Sequence, residues 1–272
     1  MKVVLVTGAS SGIGKATALE LLRAGHIVYG AARRTGRMEP IRAAGGRILP
    51  LDMREPEDLE RVIDTVVAEQ GRIDVLINNA GTVLHGAAED VPLDMARDQF
   101  EVNLFAPARL VQLALPHMRE RNSGTIVNVS SIGGEIALPL GCWYYAAKHA
   151  LEAYSDTLRL EVEPFGVDVV IIQPGIIKTE FEDRTAQDLR EISGGTAYGA
   201  MAEAMARKSE TQLGAQSPAS DPGVVAAVIR EAVEASEPEA RYAVGYMADK
   251  LLELNRTLSD REWDRLAMNA TK

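Results

Sequence analysis

The chain has 272 residues, 46% hydrophobic and 25% charged, enough to bury one sizeable core, so the simplest organisation is a single domain spanning 1–272. A formal net charge of -10 and a pI near 5.0 argue against a nucleic-acid partner, because neutralising phosphates needs a basic surface. Cys142 is the only cysteine, which rules out an intramolecular disulfide, suits a reducing cytoplasm and goes with the expectation of no metal site.

Met1-Lys2 leads straight into the apolar run Val3-Val4-Leu5-Val6, leaving no room for a signal peptide, and no later stretch approaches membrane-spanning length. The expectation is a soluble, cytoplasmic protein without a membrane span. That first run ends in Thr7-Gly8 and reads as a buried parallel strand, while Gly12 and Gly14 before Lys15-Ala16-Thr17-Ala18-Leu19 read as a tight turn opening a helix. Glycine tolerates positive φ and close backbone approach, and a helix N-terminus offers unpaired N–H groups and partial positive charge. A pyrophosphate suits such a cradle. The spacing is G-x-x-x-G-x-G, unlike the common G-x-G-x-x-G fingerprint, so an ordinary glycine-rich turn is the bland alternative.

The second strand, Ile27-Val28-Tyr29, runs on through Gly30-Ala31-Ala32 to Arg33 and Arg34. An acidic residue at this point takes the ribose hydroxyls of NAD(H), whereas an arginine accommodates the 2′-phosphate of NADP(H). Arg33 offers a permanently charged planar fork and no carboxylate opposes it, so NADP(H) is expected over NAD(H). The alternative is that Arg33, Arg34 and Arg37 form a solvated basic loop. Further strand-like runs follow at Arg47-Ile48-Leu49, Val75-Leu76-Ile77, Thr125-Ile126-Val127-Asn128-Val129 and Val167-Asp168-Val169-Val170-Ile171-Ile172. Near-continuous apolar strands alternating with helices imply an α/β fold, a parallel sheet covered on both faces, with ligands at its carboxyl edge.

Ser131 follows the strand that ends at Val129, and Tyr144 and Lys148 lie four apart in a helix-compatible run, on one face. An ammonium beside a phenol favours the phenolate, making the tyrosine a usable proton donor and acceptor near neutrality. Ser131 would then donate a hydrogen bond to a carbonyl oxygen on which charge develops. The alternative is a pair of packed aromatics, Tyr144 and Tyr145, beside a surface lysine. His149 has no evident partner and reads as structural.

Residues 180–221, rich in Ala, Gly, Ser and charge, read as a mobile lid, with Met201 and Met205 either lining a pocket or packing a small helix. A carboxyl-terminal extension over about 240–272 includes Arg241-Tyr242-Ala243-Val244 and Leu251-Leu252-Glu253-Leu254.

Six signatures in order resemble the short-chain dehydrogenase/reductase family over residues 1 to about 180. They are Thr7-Gly8 through Gly12 and Gly14, Asn78-Asn79-Ala80-Gly81, Asn103, Ser131, Tyr144 with Lys148, and Pro174-Gly175. The resemblance implies a Rossmann-type, doubly wound parallel sheet of about seven strands with helices on both faces. It also implies Tyr144 as general acid/base and, with Lys148, a cofactor contact, Lys148 on the nicotinamide ribose, Ser131 orienting the carbonyl and Asn103 holding a relay water. By the same resemblance the cofactor would meet Gly8, Ser10, Ser11, Gly12, Ile13 and Gly14 at its phosphates, and Arg33 and Arg34 at the 2′-phosphate. Asp52 and Met53 would flank the adenine, Asn78, Ala80 and Gly81 would line the cleft, and Pro174, Gly175, Ile177 and Thr179 would meet the carboxamide side. The tail is similar to family members acting on bulky lipophilic ketones or alcohols, which implies a hydrophobic carbonyl substrate and a homodimer, with a tetramer the alternative. Two other functions are weighed: a non-catalytic NADP(H)-binding redox sensor, and a sugar-nucleotide epimerase or dehydratase. The first tends to lack the tyrosine or lysine, and the second carries T-G-x-x-G-x-x-G on a longer chain.

Overall fold

The structure is a computed structural model that describes residues 1–213, 217–269 and 271. One seven-stranded sheet organises it, in the order β3-β2-β1-β4-β5-β6-β7, with every pair parallel. In chain order the strands are β1 (Val3–Thr7), β2 (Ile27–Ala32), β3 (Arg47–Pro50), β4 (Val75–Asn78), β5 (Gly124–Val129), β6 (Val167–Pro174) and β7 (Arg241–Val244). The helices are α1 (Gly12–Arg23), α2 (Glu39–Ala43), α3 (Pro56–Gln70), α4 (Leu93–Phe100), α5 (Ala106–Glu120) and α6 (Cys142–Val162). They continue as α7 (Glu180–Asp188), α8 (Gly199–Leu213), α9 (Pro222–Glu234), α10 (Ala248–Thr257) and α11 (Asp260–Asn269).

The inner strands β1, β4 and β5 are buried at every residue because both faces of the sheet are covered there. One core joins Leu5, Leu76 and Ile126 to Val62 and Ile63 of α3, Leu110 and Ala114 of α5, and Leu158 of α6. The other joins Val4, Val6 and Ile77 to Ala18 and Leu21 of α1, Ile41 of α2, and Val225 and Ile229 of α9. Helix ends follow local chemistry. Asp221 caps α9 by accepting from the Gly223 N–H, and α3 stops at Gly71, whose φ of +68° closes the last turn.

The winding reverses between β1 and β4, and ligands bind at the carboxyl ends of strands beside such a switch point. One boundary differs from expectation. Arg241–Val244 is not part of a tail but the seventh strand, paired in parallel with Ile171 through Pro174, so the extension begins beyond it with α10 and α11. The described residues within 180–221 include α7, a π turn at Leu189–Ser193, and α8. Residues 214–216 of the lid, and 270 and 272 of the tail, lie outside the described residues.

Candidate active site

Gly8 (φ +68°) and Gly12 (φ +51°) turn the chain between β1 and α1 in a conformation that L side chains resist. A Cβ on Gly8 would lie 2.8 Å from Ala80 Cα, and one on Gly14 would lie 2.5 Å from the Gly8 carbonyl oxygen. Gly8, Ser10, Ser11, Gly12 and Ile13 border a cavity of about 580 Å³, whereas Gly14 does not and serves the close packing of α1 on the turn. The first turn of α1 holds no acidic residue, and Ser11 makes no side-chain cap bond there. The opening N–H groups of the helix thus sit in an anion-ready cradle that the chemistry of a pyrophosphate fits.

Thr7 locks this turn to the end of β4. Its buried Oγ1 accepts from the Asn79 N–H at 3.0 Å and the Ala80 N–H at 2.9 Å, while Asn79 Nδ2 donates to the Thr7 carbonyl at 2.9 Å. Asn78, expected to line the cleft, is instead buried beneath it, donating to Asn128 Oδ1 at 2.9 Å; Asn79, Ala80 and Gly81 line the wall. Period-2 alternation along a strand explains the exchange, since neighbours face opposite sides.

At the far end of the cavity stand Arg33, Arg34, Asp52 and Met53. Arg33 Nη1 is 3.8 Å from Asp52 Oδ2, and its side chain is largely exposed. Arg34 donates to Ser11 Oγ at 3.0 Å, joining the loop after β2 to the glycine turn.

Ser131 follows β5, its Oγ accepting from the Gly133 N–H at 3.0 Å. Tyr144 and Lys148 occupy successive turns of α6 and, with Ser131, line the same cavity as the glycine turn. Lys148 Nζ donates to the Val129 carbonyl at 3.0 Å. Burial pulls the lysine down to about 8, and the nearby Glu152 carboxylate opposes that shift. The Tyr144 ring packs against those of His85 and Tyr145, at centroid distances of 5.8 and 5.6 Å. Pro174, Gly175, Ile177 and Thr179 close the side beneath β6. Among the four expected catalytic residues, Asn103 is the one that does not line the cavity. Its side chain is buried in a π turn (Glu101–Phe105) and bonded twice to the Thr82 main chain, each at 2.8 Å, so its amide is not presented to a relay water.

The description "short chain dehydrogenase" matches residues 2–190. The chain belongs to the short-chain dehydrogenase/reductase family. It is 40% identical over 194 residues to a 3-ketodihydrosphingosine reductase of Bacteroides thetaiotaomicron, covering 71% of this chain and 70% of that one. Two further curated relatives are each spanned over about two thirds of their length, 66%. A short-chain dehydrogenase structure from Streptomyces avermitilis superposes with TM-score 0.81 at 36% identity, over 99% of both chains. A single-substitution variant of the actinorhodin polyketide ketoreductase, solved with NADPH, gives TM-score 0.74 at 28% identity, over 88% of this chain and 94% of that one.

In this dehydrogenase/reductase several site residues carried no signal in the sequence. His85 is buried on the cavity wall, 3.5 Å from Thr185 Oγ1, and burial alone lowers it to about 4, so it is neutral at physiological pH. Glu152 lies one turn beyond Lys148 and accepts from Arg241 Nε at 2.9 Å and Gln173 Nε2 at 3.2 Å. That i, i+4 spacing from Lys148 was a visible hint; the partner on β7 was not. From the lid, Phe181, Thr185 and Met205 reach the cavity, while Met201 packs with Ala202 and Ala206 instead. His149 lies outside the cavity lining, with Nδ1 2.8 Å from the Tyr145 carbonyl oxygen. Among the described residues no group of three or more His, Cys, Asp or Glu could hold a metal, and no helix is long and apolar enough to cross a membrane.

Proposed function

We propose that the protein is an NADP(H)-dependent oxidoreductase interconverting a carbonyl and a secondary alcohol on a hydrophobic small molecule. The observation that carries this is one continuous cavity bordered at one end by the glycine turn and Arg33 and at the other by Ser131, Tyr144 and Lys148. Gly8, Ser10, Ser11, Gly12, Ile13 and Arg33 would hold a nicotinamide cofactor, which would supply or accept the hydride.

The chain's own residues handle the proton. Ser131 Oγ orients the substrate oxygen, Tyr144 gives that oxygen its phenolic proton during reduction, and the Lys148 ammonium stabilises the phenolate left behind. The reverse reaction runs through the same groups. The substrate end of the cavity is walled by Ile136, Leu138, Ile176, Phe181, Met205 and Leu251, which favours a lipophilic ketone. A relative named for reducing 3-ketodihydrosphingosine, and a ketoreductase neighbour solved with NADPH, support the same class.

The reading extends to organisation. Residues 1–272 act as one NAD(P)-binding domain, with a lid from α7 through α8, in a cytoplasmic homodimer. Exposed Phe105 on the π turn before α5 and exposed Leu160 on α6 support a self-association face on that side of the sheet. An intact Ser131, Tyr144 and Lys148 weighs against a non-catalytic sensor. The test is turnover of a panel of ketones, from short-chain to long-chain, with NADPH and with NADH, followed by loss of reduced-nicotinamide absorbance. Faster turnover with NADPH and rising kcat/KM with chain length are expected; equal use of both cofactors, or no turnover of any ketone, would overturn the proposal.

A further inference from the structure

Glu180, the first residue of α7, places its carboxylate on both outer arginines of the loop after β2. Oε2 lies 2.9 Å from Arg34 Nη2, and Oε1 lies 2.5 Å from Arg37 Nη1. The same Arg34 nitrogen bonds Ser11 Oγ, so one guanidinium joins the glycine turn, the β2 loop and the lid. Capping of α7 does not require this contact, because Thr179 Oγ1 already accepts from the Phe181 N–H. The two guanidinium groups hold the Glu180 carboxyl below the usual carboxylate range.

A carboxylate and a phosphate present the same acceptor pattern to a guanidinium fork. The side chains of Arg34, Arg37 and Glu180 are 50%, 52% and 49% exposed, so solvent screens the pairs and a competing anion can displace the carboxylate without stranding a buried charge. Arg33, next in the chain, has Asp52 as its acidic neighbour at the longer distance of 3.8 Å. The loop thus has one loosely held guanidinium and two whose charge is already answered from the lid.

We infer that Glu180 is a cofactor-selectivity residue: its lid-borne carboxylate occupies the Arg34 and Arg37 guanidinium pair and competes there with the 2′-phosphate of NADP(H). The inference rests on the NADP(H) reading above. Arrival of the 2′-phosphate releases the first turn of α7 from the β2 loop, whereas NAD(H) leaves that tether in place. Selectivity for NADP(H) is therefore lower than the three arginines alone would give, and the lid senses which cofactor has bound.

Calorimetric titration of adenosine 2′,5′-bisphosphate and of 5′-AMP, with NADPH and NADH alongside, tests this on the wild-type protein and on the Glu180→Gln, Glu180→Ala and Arg33→Ala variants. Both Glu180 variants should bind the 2′-phosphorylated ligands roughly threefold to tenfold tighter and 5′-AMP and NADH within twofold, the range expected for exposed ion pairs. Raising salt from about 0.05 to 0.5 M should shrink the gain as screening grows. Unchanged or weaker binding of the bisphosphate, or equal tightening of both nucleotides, would overturn the inference. Should Arg33→Ala weaken the bisphosphate strongly while neither Glu180 variant alters it, the NADP(H) reading stands and the role of Glu180 falls. Should wild-type protein fail to distinguish the bisphosphate from 5′-AMP, with Arg33→Ala changing neither, the NADP(H) reading falls and takes this inference with it.

Discussion

Burying the Lys148 ammonium brings a charge into the site at a cost to the fold. Its folded value of about 8 lies below the ordinary 10.5, so the penalty is fully present below pH 8 and is relieved as pH rises toward 10.5. The ceiling on that penalty is roughly 3 kcal/mol. Lys148→Met should therefore abolish turnover yet melt no lower than wild type at pH 7, with its advantage shrinking toward pH 9.5 in a pH series of thermal melts. A lower Tm at pH 7 with no pH trend would show that the buried ammonium is not a burden. His85 acts in the opposite pH range. With a folded value of about 4 against 6.5 unfolded, its contribution is lost as pH falls from 6.5 toward 4, by at most roughly 3 kcal/mol. His85→Phe should flatten acid destabilisation in that window by urea titration; an unchanged acid limb would clear His85 of the effect. At this scale the meeting of Ser131, Tyr144 and Lys148 on one cavity was legible because local spacing along one strand end and one helix face carries it. Asn79 and His85 were not, since their placement depends on partners such as Thr7 and Thr185, 72 and 100 residues away.

Among the elements, α6 carries Tyr144 and Lys148, the pair proposed to handle the proton, and is held from behind by β7. Arg241 donates to Glu152 at 2.9 Å and to Asp156 at 2.7 Å, so the last strand is clamped to the helix that bears Tyr144 and Lys148. Glu152 is buried, and removing Arg241 strands its charge. Arg241→Ala should cost about 2 kcal/mol in denaturant unfolding, within the range for an unpaired buried group, and Glu152→Gln in the same chain should recover part of that loss. Strict additivity of the two changes would exclude the coupling. The inner strands were readable from sequence because a sheet covered on both faces forces uninterrupted apolar runs. β7 escaped because an edge strand opening with a half-exposed Arg241 lacks that pattern, and its identity is set by pairing with Ile171 through Pro174. The π turn that removes the Asn103 side chain from the cavity left no mark in residue composition either.

Across the whole molecule, the parallel α/β class follows from the alternation of runs, but the order of the strands does not; the resemblance implied a doubly wound sheet of about seven strands, and the structure adds their order. The topology explains why residues as distant as Gly12 and Tyr144 border one cavity: Gly12 follows β1, beside the switch point, and Tyr144 lies beyond β5, two strands along the same carboxyl edge. The central claim is that Tyr144 passes the proton in a cavity whose cofactor end it does not build. Tyr144→Phe tests this most directly, with kcat for a responsive ketone and Kd for NADPH measured on the same preparation. The account predicts a fall in kcat of roughly a thousandfold, in the range for loss of a general acid, with Kd changed only a few-fold. Turnover close to wild type with intact NADPH binding would contradict it.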